Sequence, residues 1–202
     1  SIPHAVTIGL VFYFVHRLTN RSSAAFFAAM MLAGNYAFFL YSVIPEVYGL
    51  ANLLIILLVY LVWKKQYALS AFVFGLGLSH HHGILFLVGA IICWWLIVKN
   101  TLRTLKIFRI FFWFAIGLLP HAYFFIAGTK DSMINWLGDA TLSNIVRVFT
   151  LSDYGVFTSS AFYGELPVQR LLGLKAYGQL LFADFTFIGV ALAGVGAFFL
   201  YR

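Results

Sequence analysis

Apolar stretches fall at residues 1–16, 24–43, 47–63, 67–79, 83–98, 110–127 and 178–201, with short polar or charged turns between them. A helix rises about 1.5 Å per residue, so about 20 residues cross a hydrocarbon core of roughly 30 Å. The stretches 24–43, 110–127 and 178–201 come near or exceed that length, whereas 67–79 and 83–98 fall short. These last two predict a pair of short helices, each roughly 20–24 Å long, that meet at Ser79-His80-His81-His82-Gly83. Their junction then sits below the headgroups, in a recess of the outer half. Polar backbone at that depth is tolerated only under a cover of protein or water. Pro45 interrupts the chain between two further spans and sets Glu46 beside the same interface. The pattern predicts an all-α, polytopic membrane helix bundle of about seven membrane segments, the short pair included.

Residues 128–176 form the only long polar stretch. Within it, Leu142, Ile145, Val146 and Phe149 recur at helical spacing, with Asp139 as an expected N-cap and Arg147 on the wetter side. This predicts an amphipathic helix over 140–151, lying on the outer membrane surface. Asp153-Tyr154-Gly155 and Phe162-Tyr163-Gly164-Glu165 follow as aromatic-rich turns. The expected organisation is therefore transmembrane helices over 1–127, an outer loop over 128–176 and a final transmembrane helix over 177–202. Neither an internal repeat nor a low-complexity tract is present.

Charge orients this arrangement. Threaded as alternating crossings, one set of turns holds Arg17, Arg21, Lys64, Lys65, Lys99, Arg103, Lys106, Arg109 and Arg202, and no acidic residue. The other set holds Glu46, Asp131, Asp139, Asp153, Glu165 and Asp184, together with Lys130, Arg147, Arg170 and Lys175. Lys/Arg-rich loops resist translocation, so the first set is expected on the cytoplasmic face and the acidic groups outside. The chain is 63% hydrophobic and 9% charged, against about 45–50% and about 25% for soluble domains. A soluble fold of this size could not hide so much apolar surface. The formal charge of +7 reads as topology signals and headgroup contacts, not as a nucleic-acid interface. Cys93 is the single cysteine, which excludes an intramolecular disulfide. With Ser1 first and no basic signal-peptide region, the chain is expected to be an internal piece of a longer protein.

Ile44-Pro45-Glu46-Val47-Tyr48-Gly49-Leu50, the glycine-rich run ending in Ser79-His80-His81-His82, and Asn135-Trp136-Leu137-Gly138-Asp139 leading to Asp153-Tyr154-Gly155 occur in a telling order. Over roughly residues 1 to 160 the chain resembles bacterial membrane proteins of unknown function that are grouped with eukaryotic protein O-mannosyltransferase-like proteins. Such proteins are similar to GT-C membrane glycosyltransferases. The resemblance implies a multi-pass protein of a bacterial inner membrane, a polyprenyl-phosphate-linked sugar donor, a protein or glycan acceptor on the outer face, and membrane lipid as its surroundings. Two departures stand out. Leu137 is extra and Ala140 stands where the family writes Pro. The family's opening helix and first outer loop, with an acidic residue and a His-Pro-Pro-Gly-like run, have no counterpart, which implies a fragment that is inactive alone if that acid is the catalytic base.

The resemblance places Glu46 and Asp139 as catalytic carboxylates, and His80, His81, Asn135, Trp136, Arg147 and Tyr154 as substrate-binding residues. Each has a plainer reading. Glu46 favours the positive end of the following helix, Asp139 caps a helix, Arg147 is a solvated position, and Trp136 and Tyr154 anchor at the interface. The histidines offer hydrogen bonds to substrate or phosphate, a simple polar helix break, or a site for a divalent metal ion. Three consecutive histidines cannot all point one way, which disfavours the metal. Sugar transfer needs a carboxylate to take the acceptor's proton and donors to stabilise the departing phosphate. The alternative function is a transporter or flippase-like permease, whose pathway the short paired helices would line.

Overall fold

The computed structural model describes residues 1–45, 47–99, 101, 106–123, 126, 139, 141–149 and 167–201, with no strand among the described residues. They belong to two units, Ser1–Ala140 and Thr141–Arg202. The first contains α1 (Ile2–Thr19), α2 (Ser22–Gly34), α3 (Tyr36–Val43), α4 (Tyr48–Trp63), α5 (Tyr67–His80), α6 (His82–Val98) and α7 (Ile107–Gly117), followed by a 3-10 turn over Leu119–Ala122.

Helix ends fall where a side chain offers the backbone another partner or where a donor is missing. Asn35 Oδ1 accepts the Phe38 N–H at 2.8 Å and starts α3. The Asn side chain thereby competes with the ladder of α2, just after a weak helix former, Gly34. The stretch 24–43, expected as one helix, is therefore a pair bent by 63°. The stretch expected over 110–127 closes early, at Gly117. Pro120 has no N–H to continue the α-helical ladder, and the chain tightens into the 3-10 turn.

The core is built around α5, which packs on α4, α6 and α7. Ala51, Leu54, Leu58 and Leu61 make a buried stripe at helical spacing on α4, joined by Val73 and Leu78 of α5 and Leu85 of α6. The contact with α7 is backbone against backbone. A Cβ at Gly117 would collide with the Phe72 carbonyl and lie 2.9 Å from the Leu76 nitrogen; one at Gly75 would lie 3.1 Å from Gly117 Cα. Small residues that allow such an approach are the usual means of joining helices in apolar surroundings, where burial alone drives little. Gly77 admits Leu85 and Gly89 admits the Phe74 ring in the same way. The outward surface is apolar, with Phe108 93% and Phe111 68% exposed in the first unit. Aqueous proteins rarely show so much contiguous apolar surface.

By length and composition one helical stretch among the described residues, Lys175–Phe198, qualifies as a membrane span, and the bent α2–α3 pair is a second if its halves count as one. This differs from the about seven segments expected. The apolar helices α4, α5 and α7 have 16, 14 and 11 residues, because Lys64–Gln66, His81 and Pro120 end each apolar run early.

The second unit contains α8 (Leu142–Phe149) and α9 (Pro167–Tyr201). Thr141 Oγ1 accepts the Asn144 N–H at 3.2 Å, so Thr141 takes the capping place expected of Asp139. The last helix starts at Pro167, ahead of the expected 177, as Pro suits a first turn. It is interrupted at Thr186, whose φ of 58° is costly for a β-branched residue.

The glycine crossing yields a direct test. Gly117→Val should lower stability by about 2–3 kcal/mol or more through backbone displacement. Gly9→Ala, in a helix with nothing within 4 Å of the added carbon, should gain roughly 0.5–1 kcal/mol. Unfolding titrations in mixed micelles with SDS measure both; equal effects of the two changes would contradict the tight crossing.

Candidate functional site

At one end of the first unit, polar side chains gather from helices whose lengths are almost wholly apolar. The start of α4 lies against the end of α5. His80 Nε2–H donates to the Val47 carbonyl at 2.8 Å, and since a carbonyl only accepts, the proton sits on Nε2. The His81 ring lies 5.7 Å from the Tyr48 ring, which in turn sits 4.5 Å from Tyr41 of α3. His81 has extended backbone (φ −149°, ψ 98°) and separates α5 from α6. That break lets two neighbouring histidines both engage the beginning of α4. His81 Nδ1 is buried without a hydrogen-bond partner among the described residues.

A second pair stands on the α7 side. Ser79 Oγ lies 2.7 Å from His121 Nδ1 and within reach of the carbonyls of Gly75 (3.1 Å) and Gly117 (3.3 Å). The hydroxyl has one proton for these acceptors, so the arrangement is fully used when His121 Nδ1–H donates to Ser79 and Ser79 donates to a glycine carbonyl. On the α1 side, His4 is 2% exposed and sits edge-on to Phe38 at 4.6 Å. Its Nδ1 meets Ser1 Oγ at 2.7 Å. Gly49 makes room for it: a Cβ there would lie 2.8 Å from the imidazole.

Chemically this end offers imidazoles, hydroxyls and the phenol rings of Tyr41 and Tyr48. Of the expected site residues, His80 and His81 are brought together at the start of α4. Glu46, bonded to Val47, lies outside the described residues, as do Asn135, Trp136 and Tyr154. Asp139 is exposed at a bend, and Arg147 is half-buried on α8 in the second unit. Among the described residues no group of three or more His, Cys, Asp or Glu is placed to hold a metal ion. Sequence reasoning passed over His121 and His4. The signal for His121 was its place directly after Pro120, at the same side as the histidine junction.

The opposite ends of these helices are cationic and aromatic. Lys64 Nζ lies 5.0 Å over the Trp63 ring and the Arg17 guanidinium 5.7 Å over Tyr13. Phe14 and Tyr60 pack against Trp63 beside them. Amphipathic rings beside basic groups are the composition of a membrane interface.

The Ser79–His121 pair can be tested by deletion of one partner. Ser79→Ala should cost about 1–3 kcal/mol, since it removes the hydrogen bond between Ser79 and the buried His121. Ser79→Ala combined with His121→Phe should recover part of that loss. Strictly additive losses in thermal unfolding would show that the two groups do not interact.

No family model matches the chain, and no solved structure matches it. Among the curated proteins similar to it are two protein O-mannosyl-transferases. Protein O-mannosyl-transferase TMEM260 of Mus musculus is 29% identical over 169 residues, covering 76% of this chain and 24% of the relative. Protein O-mannosyl-transferase tmem260 of Dictyostelium discoideum is 24% identical over 211 aligned positions, covering 92% of this chain and 26% of the relative. The chain spans about a quarter of the length of both.

Proposed function

We propose that this chain forms part of a membrane glycosyltransferase of the O-mannosyltransferase-like kind, with a GT-C-type arrangement. The carrying observation is its similarity, over most of its length, to two proteins named protein O-mannosyl-transferases. The donor in this reading is a polyprenyl-phosphate-linked sugar, and the acceptor is a protein or glycan hydroxyl on the face away from the Lys/Arg-rich turns. The acceptor oxygen bonds to the anomeric carbon, the bond from that carbon to the phosphate oxygen breaks, and the acceptor's proton passes to a carboxylate. Glu46, which precedes Val47 in the sequence, is assigned that carboxylate or the orientation of the acceptor. Asp139 is the other carboxylate of the assignment. His80 and His81 are assigned hydrogen bonds to the sugar or the departing phosphate, His80 through its Nδ1. Arg147 is assigned to phosphate, where a guanidinium fits two oxygens at once. Asn135, Trp136 and Tyr154 are assigned to the sugar.

The fold supports a multi-pass reading through its two unlike ends. His4, Val47, Tyr48, Ser79, His80 and His121 meet at one, and Arg17, Trp63 and Lys64 lie at the other. Short apolar helices between two such ends are accommodated by local thinning of the bilayer around the bundle. A permease is the second reading, favoured by the bent α2–α3 pair.

Two measurements decide these points. In a Cys93→Ser background, an impermeant maleimide added outside intact cells should label Ser42→Cys, and should label Lys64→Cys only after permeabilisation. The reverse pattern would overturn the orientation. Full-length protein assayed with a panel of polyprenyl-phosphate sugars should transfer one of them. Glu46→Gln should lower the rate by about 100-fold or more, the range of a lost general base, with the fold retained. Arg147→Ala should weaken donor use more than acceptor use. No turnover of any donor, with solute flux across liposomes instead, would select the permease, and full activity of Glu46→Gln would remove Glu46 from the site.

A further inference from the structure

The starts of α5 and α7 lie side by side at the basic end, and between them opens a cavity of about 410 Å³. Lys65, Gln66, Tyr67, Lys106 and Arg109 line it. The three cations have no acidic residue near them in sequence: the closest carboxylates along the chain are Glu46 and Asp131. Both helices begin here without a side-chain cap, so their first-turn N–H groups and the positive ends of their dipoles add to the same field. Lys65 turns the chain into α5 in the left-handed region, with φ 57°.

A second cavity, of about 370 Å³, adjoins this one. It is lined by Leu58, Val62, Phe74, Ile92, Cys93 and Phe114 among others, and it shares Tyr67 and Ile110 with the basic cavity. Its walls are apolar apart from Ser70, whose hydroxyl is already donated to the Gln66 carbonyl at 3.0 Å. A cationic recess therefore continues past Tyr67 and Ile110 into an apolar groove of similar size. A free anion would fill the first and leave the second unfilled, and a neutral hydrocarbon would do the reverse. Only a molecule with an anionic head joined to a hydrocarbon chain matches both.

We propose that this paired cavity is a binding site for an anionic phospholipid, with its phosphate among Lys65, Lys106 and Arg109 and an acyl chain in the groove beside Cys93. The site lies at the end opposite the histidines, so it belongs to the membrane leaflet facing the Lys/Arg-rich turns. It rests on the membrane reading above and is independent of sugar transfer. Exposed Phe108 and Phe111 next to it present an apolar surface along which a lipid can enter from the bilayer.

Cys93 supplies a built-in reporter, as the single cysteine of the chain and exposed in the groove. The full chain is purified in uncharged detergent micelles, and dioleoyl phosphatidylglycerol, dioleoyl phosphatidylcholine or inorganic phosphate is added. Native mass spectrometry reads bound lipid, and the rate of N-ethylmaleimide addition to Cys93 reads occupancy of the groove. One phosphatidylglycerol should be retained at least about tenfold more tightly than phosphatidylcholine, and it should slow Cys93 modification. Lys106→Gln with Arg109→Gln should weaken phosphatidylglycerol binding about 30-fold, from roughly fivefold per cation removed, and restore the Cys93 rate. Circular dichroism of that double variant should match the unaltered chain, since both side chains are exposed. Equal retention of the two lipids would overturn the proposal. So would inorganic phosphate binding that phosphatidylglycerol does not surpass, which would make the cavity a site for soluble anions, or unchanged Cys93 reactivity with lipid bound, which would place the lipid elsewhere.

Discussion

The backbone contact between Gly75 and Gly117 is the constraint on which both ends of the first unit depend. It holds α5 and α7 closer than any side chain would allow. At one end this places the Gly117 carbonyl within reach of Ser79 Oγ, and so positions the turn that carries His121. At the other end the two helices, pinned at their crossing, leave room between Tyr67 and Ile110 for the basic cavity. A bulkier residue at the crossing would shift both sets of side chains together. The glycines thus serve as spacing elements, and the sequence pays for them with weaker local helix preference.

How far the sequence revealed this arrangement depends on what kind of signal each part carries. Helix positions were legible because charged turns such as Lys64–Lys65 and the histidine junction punctuate the apolar runs. Helix faces were not. The stretch Tyr48–Trp63 has one strongly polar side chain, Asn52, so polarity cannot distinguish the buried stripe of Ala51, Leu54, Leu58 and Leu61 from the positions facing outward. Two breaks were hidden for a related reason. Asn35 and Pro120 are single residues inside apolar runs, and their effect comes from one hydrogen bond made or one donor missing. Both shorten the helices that hydropathy alone extends.

The site divides along the same line. His80 and His81 stood out in the sequence as polar groups where a helix pair had to turn, and the structure sets them against the start of α4. His121 and His4 look alike in sequence, single histidines in apolar stretches, yet each is buried with a hydroxyl at hydrogen-bond distance. Their importance lies in long-range partners, Ser79 for one and the space above Gly49 for the other. No local pattern announces such pairs. The cap of α8 shows the opposite case: Asp139 and Thr141 are both good capping residues, and the Asn144 N–H goes to Thr141, two residues beyond the expected position.

The contrast between the two ends has a physical logic in the proposed transfer. A permanent cation within the apolar part of a membrane is costly unless it is paired or wet. An imidazole avoids that cost, because in its neutral form it still presents one donor and one acceptor. His80, whose Nε2–H is committed to the Val47 carbonyl, keeps Nδ1 as an acceptor. Among the described residues of the first unit, lysine and arginine, fixed in charge, stand instead at the opposite end, beside Trp63, Tyr67 and Tyr13, where headgroups and water can receive them. Within that unit the placement of neutral and permanent donors follows the local solvent.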